Sequence, residues 1–588
     1  MEKINIFGLN RERQNCKQNC CKKNIIVIRS KHMDSQLRLS RRHILQLATA
    51  GGLTVLFSRL DGLYSKGLWE GDILDISKVG PFTPDMGDVA KREFFGDDFK
   101  RVHPYIWKSE DVLKKPPHLK EKHKVVIVGG GLGGLFSAYQ LRDLKPVVLE
   151  QAPQFGGNAK GQTWRKTRYC MGSAYMTVPA EGSVMEKIFK DIGLEKFYKF
   201  KKGHEPVAVD NNLIADYWTT INKRLPQMNE IDELVEDFNL GRNGRIYPEI
   251  SGGTKITSAV KKLDRMTFRQ FLESEIGEIH SELLAQIDFY CVGAFNATSD
   301  EVSAAAALNF YCAEGAMVVL PGGNGLLAEQ LIKHMHPTVG DKNLRTGEIV
   351  LRVEVKDGGV AVHSFCPETQ KITLIEAEAV VLACPKFVVG NILKNIEQDR
   401  FDAINQYKYR SYLVANILVN KRIDPTFYEI LMVKSADLKT KMTGKNLRRA
   451  TDIVHASFGM VGTDHTVISM YRPMPYEGGR QELYESGAYE KFRSEFENQI
   501  RNDVLPILKI NPHELVDIRL TQWGHAIPIA QPGLLAGNVC QKVRAPHKDR
   551  VFFVEQDNWA LPAMETSASE AIYWEPFVRK VVSRKKSI

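Results

Sequence analysis

The sequence predicts an α/β fold in which a parallel-sheet domain is assembled from discontinuous segments and an α+β domain is interleaved with them. Three observations predict it. A β-branched run at 124–128 is followed at once by glycines and an apolar helical stretch, and a second run at 147–150 completes a βαβ unit. Strand-like texture returns at 347–383 and again at 551–554, far along the chain. Between these places the pattern is helical or mixed, with no fixed-period repeat.

In chain order, residues 1–60 read as an N-terminal extension. Residues 61–122 are rich in charge and turn formers and end in Lys114-Lys115-Pro116-Pro117, where proline removes donors and favours extended chain, so a linker is expected. Thr267 and Gln270 have capping-box spacing, and Phe268, Phe271, Leu272, Ile276 and Ile279 recur on one helical face, which is core packing. Val353, Val355, Val360 and Val362 alternate as strands before the apolar run 379–383. A final strand at 551–554 precedes a helix from about Glu565. The expected division is 123–205, 336–400 and 511–588 for the parallel-sheet domain, with 206–335 and 401–510 for the interleaved one.

Composition narrows the function. The 588 residues are 43% hydrophobic and 26% charged, and the mean hydropathy is −0.26, which fits a globular enzyme and excludes a disordered or polytopic membrane chain. Residues 1–60 hold twelve Lys/Arg against three acids, a net +9 of the whole chain's +10. The near-neutral remainder removes the electrostatic case for a nucleic-acid partner.

Ser40-Arg41-Arg42-His43 stands before a weakly apolar run, 45–57, too short for a bilayer core that needs roughly 20 apolar residues. The arginine pair before this run resembles a twin-arginine export signal, which carries folded, cofactor-loaded proteins to the periplasm. Periplasmic location and the twin-arginine translocation machinery as partner are the expectation, with an uncleaved inner-membrane tether left open. Met33 is an alternative start. Cys16, Cys20 and Cys21 have no ligand partners at metal-site spacing, so no metal is expected, and the six remaining cysteines read as buried hydrophobes.

Gly129, Gly131 and Gly134 form the G-x-G-x-x-G pattern between the first strand and its helix, and Glu150 ends the next strand. That spacing is the Rossmann-like dinucleotide fingerprint: tight turn, close backbone approach to a pyrophosphate, close helix packing, and an acid for ribose hydroxyls. NAD and FAD share this geometry. Gly156-Gly157 after the acid, then Met171-Gly172-Ser173, Leu320-Pro321-Gly322-Gly323-Asn324-Gly325, Val380-Val381-Leu382-Ala383 with Cys384-Pro385, and Gln556-Asp557 before Glu565-Thr566-Ser567 follow in order. Over roughly 123–580 this resembles the flavin-containing amine oxidoreductase superfamily, and Phe155-Gly156-Gly157-Asn158-Ala159-Lys160 resembles its exported spermidine dehydrogenase-like branch.

The resemblance implies FAD. It would place the pyrophosphate at Gly129, Gly131, Leu132, Gly133 and Gly134, the ribose at Glu150 and Gln151, with Gly156 and Gly157 beside them, and adenine at the backbone of Val350 or, nearly as well, Val353. Asp557 would lie near the ribityl-pyrophosphate. The helix start at Glu565 and Thr566 would face the flavin pyrimidine edge, where a positive helix end favours reduced flavin. Monoamine oxidases add two tyrosines and a lysine near the flavin. Here Ala563 stands at the C-terminal tyrosine position, and Leu413-Val414-Ala415-Asn416-Ile417-Leu418 carries no lysine, which favours an acceptor other than oxygen. His525 and Trp523 fall where relatives line the substrate channel and are the catalytic candidates.

The expected function is an exported FAD-dependent oxidoreductase moving a hydride from an amine or polyamine carbon to flavin. A desaturase or isomerase of the phytoene desaturase or protoporphyrinogen oxidase type is the first alternative. A flavoprotein electron carrier without turnover is the second.

Overall fold

The computed structural model describes residues 86–583 apart from 90, 201–204, 314–316, 440–441, 446 and 461; the arginine pair, the run 45–57, Met33 and the first three cysteines lie outside the described residues. The chain enters through a two-residue strand β1 (Phe95–Gly96) and helix α1 (Phe99–Trp107). Strand β2 (Leu119–Val128), helix α2 (Leu132–Gln140) and strand β3 (Val147–Glu150) then form the βαβ unit. Helices α3 (Ser281–Phe295) and α4 (Ala304–Tyr311) belong to the helical middle of the chain. Strands β4 (Leu344–Thr346), β5 (Ile349–Lys356), β6 (Gly359–Cys366) and β7 (Lys371–Leu382) follow. The remaining principal strands are β8 (Tyr409–Val419), β9 (Glu429–Val433), β10 (Asp452–Val454), β11 (Thr466–Pro473), β12 (Leu515–Pro528) and β13 (Val551–Phe553), before the terminal helix α5 (Met564–Ser583).

The first sheet runs β4-β3-β2-β7-β6-β5, with β13 pairing the second half of β7. Its centre is parallel, in register Val126 to Val147 and Val126 to Val380. Helices cover both faces of such a sheet, so its strands are continuously apolar: Val125–Val128 and Val551–Phe553 are buried at every position. Against one face α2 and α5 pack through Leu135, Phe136, Ala571 and Trp574. The capping box at Thr267 and Gln270 forms and opens the helix Phe268–Ile276.

The second sheet runs β1-β12-β8-β11-β10-β9 and ends in two short strands at 207–209 and 212–214. Two expected boundaries move. Strand β12 pairs with β8 from Leu520 opposite Ala415 to Pro528 opposite Tyr409, so 515–528 belongs to the second sheet and not to the nucleotide domain that was expected to begin at 511. Periodicity marks a strand but not the sheet that receives it. The expected linker 61–122 contains β1, α1 and the first residues of β2. Leu119-Lys120-Glu121-Lys122 reads as solvated chain because this end of β2 is largely exposed. Five of the six described cysteines are buried, and all six are free thiols. Among the described residues no helix is long and apolar enough to cross a membrane.

Candidate active site

A cavity of about 1240 Å³ lies between the carboxyl ends of the parallel strands and the second sheet, the position where open α/β sheets bind ligands. At one end the glycine turn opens α2. Gly131 caps this helix with no side-chain partner, leaving its first N–H groups toward the cavity. Gly134 is packed rather than exposed: a Cβ there would stand 1.9 Å from the Gly129 carbonyl oxygen. The Gly156 N–H donates to the Gly130 carbonyl (2.8 Å), drawing the second glycine pair against the first.

Glu150 is buried, and both of its oxygens are held by the loop around it. The Gly130 N–H donates to Oε2 (2.7 Å) and the Ala152 N–H to Oε1 (2.8 Å). Val350 lines the same end at a bulge of β5, while Val353 does not line the cavity. Glu348 lines it too, with Oε2 buried and unpartnered. This end fits the adenosine and pyrophosphate of FAD on two grounds: a cradle between the glycine turns that a Cβ would fill, and a buried acceptor without a donor.

Further in, the Asp557 carboxylate accepts from the Lys386 N–H (3.0 Å) and from the Tyr409 hydroxyl, both on Oδ2. Lys386 is fully buried and forms an ion pair with Glu555. Burial, with Asp557 beside it, pushes the Glu555 carboxyl well above its usual range against the pull of Lys386. Burial and Asp557 likewise hold Tyr409 as a phenol. The start of α5 reaches the cavity, and Glu565 accepts from the Thr177 N–H (2.6 Å) and hydroxyl (2.7 Å).

The second sheet walls a further arm of the cavity. Tyr412 of β8, Tyr428, and Tyr471 of β11 line it, with ring centroids of Tyr412 and Tyr471 6.0 Å apart. Tyr428 Oη is buried without a partner. Glu429 and Asp452 line the same arm from neighbouring strands, offset by two positions in register. Asp452 accepts from the Tyr471 N–H (3.2 Å). Burial first and Glu429 second push its carboxyl well above the ordinary value. Helices α3 and α4 add an apolar wall through Ile287, Phe289 and Phe310.

Of the anticipated residues, Gly129, Gly131, Leu132, Gly133, Glu150, Gln151, Gly156, Gly157, Val350, Asp557, Glu565, Thr566, Trp523 and His525 all line this one cavity, and Gly134 packs behind it. Trp523 spends its indole N–H on the Met171 carbonyl (2.9 Å), which makes it a wall. The His525 ring stacks on Phe387 at 4.1 Å, and burial with Arg480 nearby lowers it to about 3, so it stays neutral at working pH. Ala563 lines the cavity where a tyrosine was missed, and the aromatic side chains come from β8 and β11 instead. Tyr412, Tyr428, Tyr471, Glu429, Asp452, Lys386, Asp97 and Arg101 carry no local sequence signature; Tyr412, Tyr471, Glu429 and Asp452 lie on strands, and the others on helices or connections.

Comparison with known proteins agrees with this geometry. The oxidoreductase PigB of Serratia sp. (strain ATCC 39006) is 22% identical over 524 residues, covering 79% of this chain and 76% of that protein. The fold is shared with a putrescine oxidase (TM-score 0.56, 13% identity, 79% of this chain and all of that one). It is shared equally with a fatty acid isomerase from P. acnes (TM-score 0.56, 15% identity, 78% and 98%). The model of the flavin containing amine oxidoreductase family matches residues 132–448, more than half of the sequence; the chain belongs to that family and is an FAD-dependent oxidoreductase.

Proposed function

We propose that the substrate is an amine, oxidised at a carbon next to nitrogen, with polyamines the first class to test. One observation carries this reading. Twelve acidic side chains line the cavity, from Asp97 to Glu565, and even with Glu555 paired to Lys386 and Asp452 raised they outnumber Arg101 and Lys160, the permanent cations lining it among the described residues. Such a lining attracts a cationic substrate and disfavours an acidic one.

Bound FAD supplies the hydride acceptor. The chain's own residues bind, orient and exclude water. Glu429 and Asp452 receive an ammonium group, and the orphaned Tyr428 hydroxyl offers it a neighbouring oxygen. Two carboxyls so close share less than two charges, so a bound cation draws a proton off the pair. On the same sheet Trp523 packs with Tyr412 and Tyr471, and neither it nor neutral His525 places a charge there. No lysine interrupts strand β8, where Asn416 instead donates to the Cys170 carbonyl (3.1 Å) and Ser469 Oγ (2.7 Å), which supports an electron acceptor other than oxygen. The twin-arginine-like segment supports export to the periplasm, tested by fractionating cells that express the Arg41→Lys, Arg42→Lys variant.

The apolar wall from α3 and α4 favours a second reading, a desaturase or isomerase acting on a hydrophobic substrate. Anaerobic titration separates the two. Bleaching of the visible flavin band by spermidine, putrescine or a monoamine supports the amine. Bleaching only by an apolar polyene or porphyrinogen transfers the assignment to a desaturase; with no bleaching, conversion of an apolar substrate without net flavin reduction marks an isomerase, and no conversion leaves the electron carrier.

A further inference from the structure

Residues 95–113 precede the glycine turn, yet they supply one wall of its cavity. Gly96, Asp97, Phe99, Arg101, Val102 and Ile106 all line it. One end is joined to the second sheet. Strand β1 pairs in parallel with β12, Phe95 opposite Thr521, and the Gly524 N–H donates to Asp97 Oδ2 (2.8 Å). The other end is joined to the nucleotide sheet. Val102, Tyr105, Ile106 and Val112 pack on Ile349, Leu351, Phe365 and Ile372, and Glu110 pairs with Arg352 (2.5 Å) and Lys394 (2.6 Å).

Between the two anchors Arg101 acts as a latch. Its guanidinium donates to the Gln151 carbonyl, to the Gly347 carbonyl (3.3 Å) and to Glu368 (2.9 and 2.6 Å). Gln151 directly follows Glu150, and Gly347 lies three residues before Val350, so one side chain ties together the two loops that flank the adenosine end. Asp98 caps α1 by accepting from the Arg101 N–H (3.1 Å), which fixes where the latch stands.

We propose that residues 95–113 are a cofactor-retaining strap, closed across the adenosine half of FAD by Arg101, and that the nucleotide enters and leaves only when this strap is released. The strap is anchored to both sheets, by strand pairing at Phe95–Gly96 and by apolar packing on Ile349, Leu351, Phe365 and Ile372. Arg101 is a positioning residue here, acting through the loops that hold the nucleotide. The inference concerns cofactor retention and is independent of the amine reading.

The test uses the FAD-loaded full chain and follows the fluorescence of released flavin after dilution. Arg101→Ala is expected to release FAD roughly tenfold faster or more, the loss of hydrogen bonds to a charged group, with Arg101→Lys in between. Glu110→Gln removes the carboxylate that pairs with Arg352 and Lys394 while leaving the apolar packing of the strap in place, and is expected to speed release as well. In parallel, trypsin is expected to cut at Lys100, Arg101 or Lys108 in FAD-stripped protein and to spare these sites in loaded protein. Wild-type release rates in the variants, or equal cleavage with and without FAD, overturn the proposal.

Discussion

Gly131 and Gly157, from two separate turns, face each other so closely that a Cβ on Gly157 would stand 3.0 Å from Gly131 Cα. Gly157 also has φ +57°, where an L side chain costs about 1–2 kcal/mol. Gly157→Ala is therefore expected to lower thermal stability modestly and FAD affinity strongly, because the added methyl enters the cradle. Isothermal titration of the stripped variant with FAD checks this; wild-type affinity would refute the cradle.

On the amine reading, Asp452 and Glu429 are expected to make substrate binding depend on pH. The raised carboxyl keeps in the folded protein a proton that the unfolded chain releases near its usual value of 3.8, so the pair costs stability progressively as pH rises above that value. A bound ammonium reverses the preference, so amine binding releases protons and KM rises as pH falls. Asp452→Asn is expected to raise KM roughly ten- to hundredfold with kcat little changed, and to gain stability over wild type at alkaline pH. Proton release measured in buffers of differing ionisation enthalpy supplies the check.

His525 is expected to contribute no limb to the pH profile of kcat, since it remains neutral down to about 3. Its lowered value has the opposite consequence for stability. The unfolded chain takes up a proton near 6.5 that the folded protein refuses, so stability is lost as pH falls below that point, by about 2 kcal/mol at pH 5. His525→Phe preserves the stack on Phe387 and removes this acid sensitivity. Chemical denaturation at pH 7 and pH 5 measures it.

Lys386 and Glu555 test a buried charge. Lys386→Met leaves Glu555 without its cation and is expected to cost about 3–5 kcal/mol. The double variant Lys386→Met, Glu555→Gln is expected to recover much of that loss. A double-mutant cycle in which the two effects simply add would show that the pair is not coupled.

The parts legible in the sequence are those whose function is local. Gly129 to Gly134 and Glu150 lie within 22 residues, and their spacing alone encodes turn, helix start and acid. Asp557 and Glu565 were found only because a resemblance supplied their order. Asp452 and Tyr471 meet because β10 and β11 pair, and nothing in either strand announces the partner. Arg101 was hidden for a different reason: its helix has no buried residue of its own and reads as solvated chain until the loops it grips are known. Strand β12 was recognised as strand but given to the wrong sheet, since edge-to-edge pairing is a property of two segments and not of one.

That same strand has a consequence for the order of assembly. On β12, Thr521 and Gln522 seat the strap, while Trp523 and His525 stand against the substrate side, with Asp97 bound to the Gly524 amide between them. If the strap closes over the nucleotide as proposed, its closure also completes the wall on the substrate side. Flavin-free protein is then expected to bind substrate more weakly than loaded protein, which titration of the two forms compares.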